Sequence, residues 1–293
     1  MTTTLIPLLS ALVAGLVVIA ATPLAMRLAA RVGAVDHPSD RRIHREPTPR
    51  LGGLAILAGF LVPVLYYLPA DRATRALVTG AVLIALLGAV DDIWGLSPSV
   101  KLAGQAACAA VPAAAGLTID HITIPLLGVG TLGPAEYPLT ILWFVALVNM
   151  INFTDGMDGL AAGISGLGLT TFAVLAASLG RADAAIMAAA LAGACAAFLW
   201  FNFHPARIFM GDSGSLLLGF LCTTTILMFA SIPGQGMLII TAALIVFALP
   251  ITDTSLAIFR RKMAGQPIFS AANKPIHHLL RRSGLSVRQS VLV

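Results

Sequence analysis

Pro138-Leu-Thr-Ile-Leu-Trp-Phe-Val-Ala-Leu-Val-Asn149-Met-Ile-Asn152-Phe-Thr-Asp155-Gly-Met-Asp158-Gly159 joins an apolar run to a polar cluster without a linker. The pattern recurs along the chain. A run at 74–90 ends in Asp91-Asp92, another begins at Gly211-Asp212-Ser213-Gly214-Ser215, and Pro275-Ile-His277-His278 follows the last. Hydrophobic residues make up 58% of the 293 residues and charged residues 11%, against about 25% charged in a soluble domain. With a mean hydropathy of +0.93, the chain reads as an integral membrane protein.

A membrane-crossing helix needs about 20 mostly apolar residues. Runs of that kind fall at 5–24, 51–69, 74–90, 100–117, 138–153, 159–179, 184–201, 214–231 and 237–254. The expected fold is therefore an all-α polytopic membrane protein of about nine to eleven transmembrane helices. It forms a single domain over 1–293. The first run has no charged segment before it and no cleavage signature after it, so it reads as a retained span. Gly284–Val293 resembles the entry to a further helix, as if one or two C-terminal spans were missing. Residues 118–137 alternate and carry Gly-Val-Gly and Leu-Gly-Pro turns, which predicts a small outer β-hairpin. Cys108, Cys195 and Cys222 lie in apolar runs and read as small buried hydrophobes.

Lys and Arg set the orientation. With the N-terminus outside, fifteen fall in inner loops, and only Arg72, Arg75 and Arg181 in outer ones. All four polar clusters then share the cytoplasmic face. The net charge of +5 is accounted for by this bias, and no nucleic-acid partner is expected.

An interfacial helix end would account for Asp91-Asp92, since an Asp costs roughly 2.5–3.5 kcal/mol only at a span's centre. The helix dipole, however, disfavours anions at a C-terminus, so the pair calls for a cation, Mg²⁺ or Lys101. Asn149, Asn152, Asp155 and Asp158 recur every third residue, which does not match the spacing of a calcium loop. A polar turn between spans is the plain alternative to a cavity that reads a base or sugar. Asp212 and Ser213 suit an N-cap, but helix N-termini also bind phosphates, and an Asp there can hold Mg²⁺. In the basic loop, His44-Arg-Glu-Pro-Thr-Pro-Arg50-Leu-Gly-Gly53 is read as allowing close backbone approach to a ligand. The His277-His278 pair reads by itself as solvated.

In order, Asp91-Asp92-x-x-Gly, Asn149-x-x-Asn152-x-x-Asp155-Gly-x-Asp158-Gly and Gly211-Asp-x-Gly-Ser resemble the polyprenyl-phosphate N-acetylhexosamine-1-phosphate transferases, glycosyltransferase family 4. The resemblance covers Asp36 to His278 and is closest to the undecaprenyl-phosphate GlcNAc-1-phosphate branch. It implies attack of a polyprenyl (undecaprenyl or decaprenyl) phosphate on a UDP-N-acetylhexosamine, releasing UMP. It also implies Mg²⁺ (or Mn²⁺), a bacterial plasma membrane and a homodimer. Asp212 and Asp92 match metal-site positions. Asp91 and Asp92 match an essential acidic pair, with Asp91 the candidate to deprotonate or position the lipid phosphate. Lys101 matches a phosphate-side lysine, and Asn149, Asn152, Asp155 and Asp158 match the nucleotide side. His44, Arg50, His277 and His278 complete the substrate set. The late loop departs from this branch: Pro275 stands where a His is usual, and Pro-Ile-His-His looks more like the phospho-MurNAc-pentapeptide transferases. An ion-coupled transporter and a non-catalytic lipid-binding homologue are the readings of other classes, but transporters place ionisable residues near the midplane.

Overall fold

Local sequence sets the helix ends. The structure, a computed structural model, describes residues 2–36, 47–124, 128–230, 251–252, 259 and 262–263. Asp71 accepts the N–H of Thr74 at 2.8 Å and opens α3 (Arg72–Trp94), which Gly95 closes at φ 71°. Ser97 caps α4 (Pro98–Ala114), whose first position holds a proline, where a missing N–H costs nothing. The other described helices are α1 (Thr2–Val32), α2 (Gly52–Tyr67), α5 (Glu136–Thr154), α6 (Leu160–Ser178), α7 (Ala182–Asn202) and α8 (Gly211–Ala230).

The all-α polytopic expectation holds. Among the described residues, six helices are long and apolar enough to cross a membrane: α1, α3, α5 with the 3-10 turn before it, α6, α7 and α8. The first eight expected runs each coincide with one helix. The ninth, 237–254, lies almost wholly outside the described residues, as do His44, His277, His278 and the tail.

The boundaries differ in two places that matter. α1 continues to Val32, eight residues past the expected Leu24, because its Ala, Leu, Met and Arg residues favour helix until Gly33 breaks it at φ 77°. α3 runs on to Trp94, so Asp91 and Asp92 occupy its last turn and do not follow it.

The expected hairpin is present as antiparallel strands β3 (His121–Ile124) and β4 (Gly128–Thr131). It joins the C-terminus of α4 to the start of α5, at the end of the bundle opposite the acidic residues. Strands β1 (Val35–Asp36) and β2 (Thr48–Pro49) form a two-residue antiparallel ladder beside α1.

α8 is the central element, buried along nearly its whole length among α2, α3, α5 and α7. Thr223, Thr224 and Thr225 lie fully inside it, and each hydroxyl donates to the carbonyl four residues earlier. This satisfies polar atoms that would otherwise cost energy in an apolar interior. α1 is peripheral and exposes Leu5, Leu8, Leu12 and Leu16, as a lipid-facing helix does. All three cysteines are free and buried, as read from the sequence.

Close helix approach depends on missing side chains. A Cβ on Gly193 of α7 would overlap the backbone of Ala11 in α1, and one on Gly88 of α3 the backbone of Asp212 in α8. A Cβ on Gly53 would overlap Gly214. At the far end, Arg72 donates to the carbonyl of Ala114 and Arg181 to that of Met228 at 2.7 Å. Arg72 and Arg181 thus sit at the negative ends of α4 and α8.

The Gly53→Ala variant is expected to lower the melting temperature in detergent, consistent with an overpacking cost of about 1–3 kcal/mol. Gly163→Ala in α6, where a Cβ meets nothing within 4 Å, should leave it unchanged or raise it slightly. Differential scanning fluorimetry of both variants checks the assignment.

Candidate active site

The end of α3, the first turn of α4, the end of α5 and the start of α8 meet at one place. Asp92 is where they lock. Its Oδ1 accepts the N–H of Asp212 at 2.9 Å and its Oδ2 that of Ser213 at 3.0 Å. Those amides belong to the first turn of α8 and have no partner within that helix. Asp92 therefore caps α8 from α3, and Gly211 (φ 68°) leaves room for it, since a Cβ there would overlap the carboxylate.

With α8 held this way, the Asp212 side chain faces Lys101 and Asn152. Lys101 Nζ lies 3.1 Å from Asp91 Oδ2 and also pairs with Asp212 Oδ2. Asn152 Nδ2 donates to Asp212 Oδ1 at 2.9 Å and to Ser215 Oγ at 2.8 Å. Asp91 Oδ1 accepts the N–H of Leu96 at 2.6 Å, just past the helix end. The ammonium thus bridges two carboxylates, Asp91 of α3 and Asp212 of α8, that are far apart in the chain.

The Asp155–Gly159 turn forms the next part. Asp155 caps the C-terminus of α5, and among the described residues its carboxylate accepts no hydrogen bond. Burial, with the nearby Asp92 charge second, pushes its pKa up to about 7, and Arg50 opposes the shift. Asp158 Oδ2 lies 2.7 Å from His204 Nδ1 and accepts the N–H of Ala206 at 3.2 Å. Asn202 accepts the N–H of Gly159 at 3.0 Å and donates to the carbonyl of Ile208 at 2.9 Å. His204 and Asn202 were not singled out in the sequence, and no local motif marks them.

Two of the sequence-predicted groups have partners within the bundle. Asn149 does not join the acidic group: its Nδ2 donates to Gln105 Oε1 at 2.5 Å and to the carbonyl of Val145 at 2.7 Å. The Gly52-Gly53 pair makes its close approach to a helix. Their N–H groups donate to the carbonyls of Phe209 and Met210, both at 3.1 Å, and bring α2 against the start of α8. Arg50 pairs with Asp36 at 2.8 Å.

Among the described residues no three His, Cys, Asp or Glu side chains converge as a metal set. The chemistry still suits a hard divalent ion. Asp91 and Asp212 face each other across a cation, the Lys101 ammonium, and Mg²⁺ is commonly held by one or two carboxylates with substrate phosphates supplying the rest. Both Asp92 oxygens are already engaged by amides.

The sequence profile of glycosyl transferase family 4 matches residues 74–230, which include every part of this cluster. The chain is 41% identical over 280 residues to a Bacillus subtilis protein named a probable undecaprenyl-phosphate N-acetylglucosaminyl 1-phosphate transferase, covering 95% of this chain and 78% of that protein. It is 38% identical over 315 residues to a Mycobacterium tuberculosis decaprenyl-phosphate N-acetylglucosaminephosphotransferase, covering 96% and 77%. A phospho-N-acetylmuramoyl-pentapeptide-transferase of Moorella thermoacetica is 32% identical over 258 residues, covering 84% and 79%.

Asp92→Asn places an amide nitrogen against a backbone N–H, and leaving such a donor unpaired costs about 1–3 kcal/mol. Hydrogen exchange in peptides spanning 209–216 should accelerate, while exchange in α7 stays unchanged. Asp155 yields a pH test. Its folded-state pKa lies above the usual carboxylate value, so the native state holds a proton that the unfolded chain has lost. Stability should fall as pH rises from about 4 to about 7 and level off above that. Asp155→Asn should flatten this slope in melting curves recorded across the window.

Proposed function

The chain belongs to glycosyl transferase family 4, and we propose that it transfers N-acetylglucosamine 1-phosphate from UDP-N-acetylglucosamine to a polyprenyl phosphate. The observation that carries this reading is the bridge Asp91–Lys101–Asp212, tied to Asn152, at one end of a multi-pass membrane protein. An oxygen of the lipid phosphate attacks the β-phosphorus of the nucleotide sugar. The bond from that phosphorus to the bridging oxygen of the α-phosphate breaks, and UMP leaves with its electron pair. The product is polyprenyl-pyrophosphoryl-N-acetylglucosamine.

Such a transfer needs alignment and neutralised charge more than covalent help. Lys101 is suited to the phosphates, since its ammonium already lies between Asp91 and Asp212 and needs only a change of side-chain rotamer to reach an oxygen placed there. Asp212, with Asp91 facing it, would hold Mg²⁺ (or Mn²⁺), which supplies neutralisation of the diphosphate. Asp92 acts through Asp212 by fixing its main chain. A lipid phosphate is largely ionised near neutral pH, so Asp91 positions the acceptor and holds Lys101 where no proton need be removed. Asp155 and Asp158, on a turn that Asn202 and His204 brace, form the nucleotide side.

The positive-inside bias of the loops supports a cytoplasmic site, where a soluble nucleotide sugar meets a lipid phosphate at the bilayer surface. Undecaprenyl and decaprenyl phosphate are both acceptors of the relatives' named activities. The phospho-MurNAc-pentapeptide reading draws on Pro275-Ile-His-His and a relative of lower identity. The two-copy assembly implied by the resemblance is part of this proposal, and the mass of the purified protein in detergent measures it.

Purified protein given UDP-N-acetylglucosamine, undecaprenyl phosphate and Mg²⁺ should release UMP, and omission of any one should stop release. Asp212→Asn should lower the rate roughly a hundredfold or more, the size expected from several kcal/mol of lost charge stabilisation. Turnover with UDP-MurNAc-pentapeptide in place of UDP-N-acetylglucosamine would overturn the sugar assignment.

A further inference from the structure

α1 is longer than a bilayer needs. Its 31 residues extend about 46 Å at 1.5 Å per residue, against a hydrocarbon core of about 30 Å. A span begun at Leu5 is complete near Leu24, so Arg27 and Arg31 stand at headgroup depth. They lie at the end of the bundle that holds the acidic site, because the N–H of Arg50 bonds the carbonyl of Ala34 just past α1 and Gly53 abuts Gly214 of α8.

Here α1 and α2 leave an open cavity of ≈ 470 Å³, lined by Leu24, Arg27, Leu28 and Arg31 of α1 and by Leu54 and Ala55 of α2. Its volume lies within the roughly 300–1,000 Å³ of small-ligand sites. Its lining is almost wholly apolar, and the Arg27 and Arg31 side chains form part of it. Leu24 and Leu28 are 61% and 44% exposed, so the groove opens sideways to where lipid lies.

Among the described residues the two arginines have no counter-ion. They are four residues apart, a spacing at which like charges destabilise a helix. No acid of α1 lies within reach of either, and neither forms an ion pair among the described residues. Asp36, the nearest acid in the sequence, is paired with Arg50. The chain's own remaining segments are ill-suited to supply the missing charge: residues 231–293 carry seven Lys or Arg and one Asp, and 37–46 carry three Arg, one Asp and one Glu. The charge calls for an anion from outside the chain, and the apolar walls call for one with a hydrocarbon tail.

We propose that this α1–α2 groove binds one anionic phospholipid of the bilayer, its phosphate between Arg27 and Arg31 and an acyl chain along Leu24, Leu28, Leu54 and Ala55. Guanidinium groups recognise phosphate oxygens through paired hydrogen bonds. Each basic residue near an anionic surface is worth about 1 kcal/mol. The site is separate from the Asp91–Lys101–Asp212 cluster, and its occupant is not consumed.

The test is native mass spectrometry of the full chain released from nanodiscs containing equal parts phosphatidylglycerol and phosphatidylcholine. The wild-type protein should retain one phosphatidylglycerol in preference to phosphatidylcholine. The Arg27→Gln/Arg31→Gln variant should lose that preference by roughly tenfold to thirtyfold, with its circular dichroism unchanged. Leu28→Trp, which fills the groove and keeps both charges, should lower occupancy by either lipid. Equal retention of the two lipids by wild type, or an unaltered preference in the double variant, overturns the proposal. Displacement of the retained lipid by equimolar undecaprenyl phosphate also overturns it, because the groove would then belong to the acceptor.

Discussion

A carboxylate on the last turn of one helix closes the first turn of another, and the site depends on that contact. Asp92 stands at the C-terminal end of α3, where the helix dipole repels it, and at the N-terminal end of α8, where free amides and the opposite dipole attract it. Neither end is satisfied alone. Brought together, the anion gains a favourable field and the amides gain acceptors. The contact requires close approach, and the chain supplies glycine at Gly88, against the Asp212 backbone, and at Gly211, against the Asp92 carboxylate. Gly53 and Gly214 do the same for α2. The start of the buried central helix is therefore held from two sides, and the Asp212 carboxylate is aimed before any substrate arrives.

The charge balance follows from this frame. Among the described residues, Asp91, Asp92, Asp155, Asp158 and Asp212 gather with Lys101 and Arg50 close by, so carboxylates outnumber cations there. Asp91, Asp92 and Asp158 each accept backbone amides, and Asp212 lies against Lys101 and Asn152 together. Asp155 has none of these, and burial shifts it toward the neutral form. On the proposed reading the ligands are anionic phosphates, which an acidic basin repels unless positive charge lies between. Lys101 is one such charge, placed between two carboxylates; a divalent ion at Asp212 would be another.

The helical architecture was legible because apolar length is a strong signal, and the first eight runs each found a helix. The β3–β4 hairpin was legible from its turns. Helix ends were less so: nothing in the hydropathy of α1 marks Val32 as its limit, since Arg27 and Arg31 are good helix formers that a span search treats as a stop. The acidic residues were found from their types and order, yet their divisions of labour were not. Asp92 looked equivalent to Asp91 in sequence, but its partners are amides 120 and 121 residues away, and backbone leaves no signature in residue type. Gln105 with Asn149, His204 with Asp158 and Asn202 with Gly159 are pairings across more than forty residues, each a single ordinary polar residue until the helices converge. The Gly-Gly pair at 52–53 carried the right inference, close approach, with a helix as the object.

A bundle of this kind places chemistry at its end and not at its centre for a physical reason. Carboxylates at the midplane must be neutralised or hydrated, whereas at the interface they share water, backbone ends and headgroup charge. The same level of the bilayer is where a lipid phosphate resides and where a soluble nucleotide sugar can reach it. α1 extends beyond the hydrocarbon at this end and carries Arg27 and Arg31 there, outside the acidic basin. Positive charge on the rim and negative charge within divide the surface into two regions. On the proposed readings, phosphates held at the rim would need no metal, since two arginines stand there, whereas phosphates entering the basin would need a cation beside them. On the two proposals together, one membrane face would distinguish a resident anion from a reacting one.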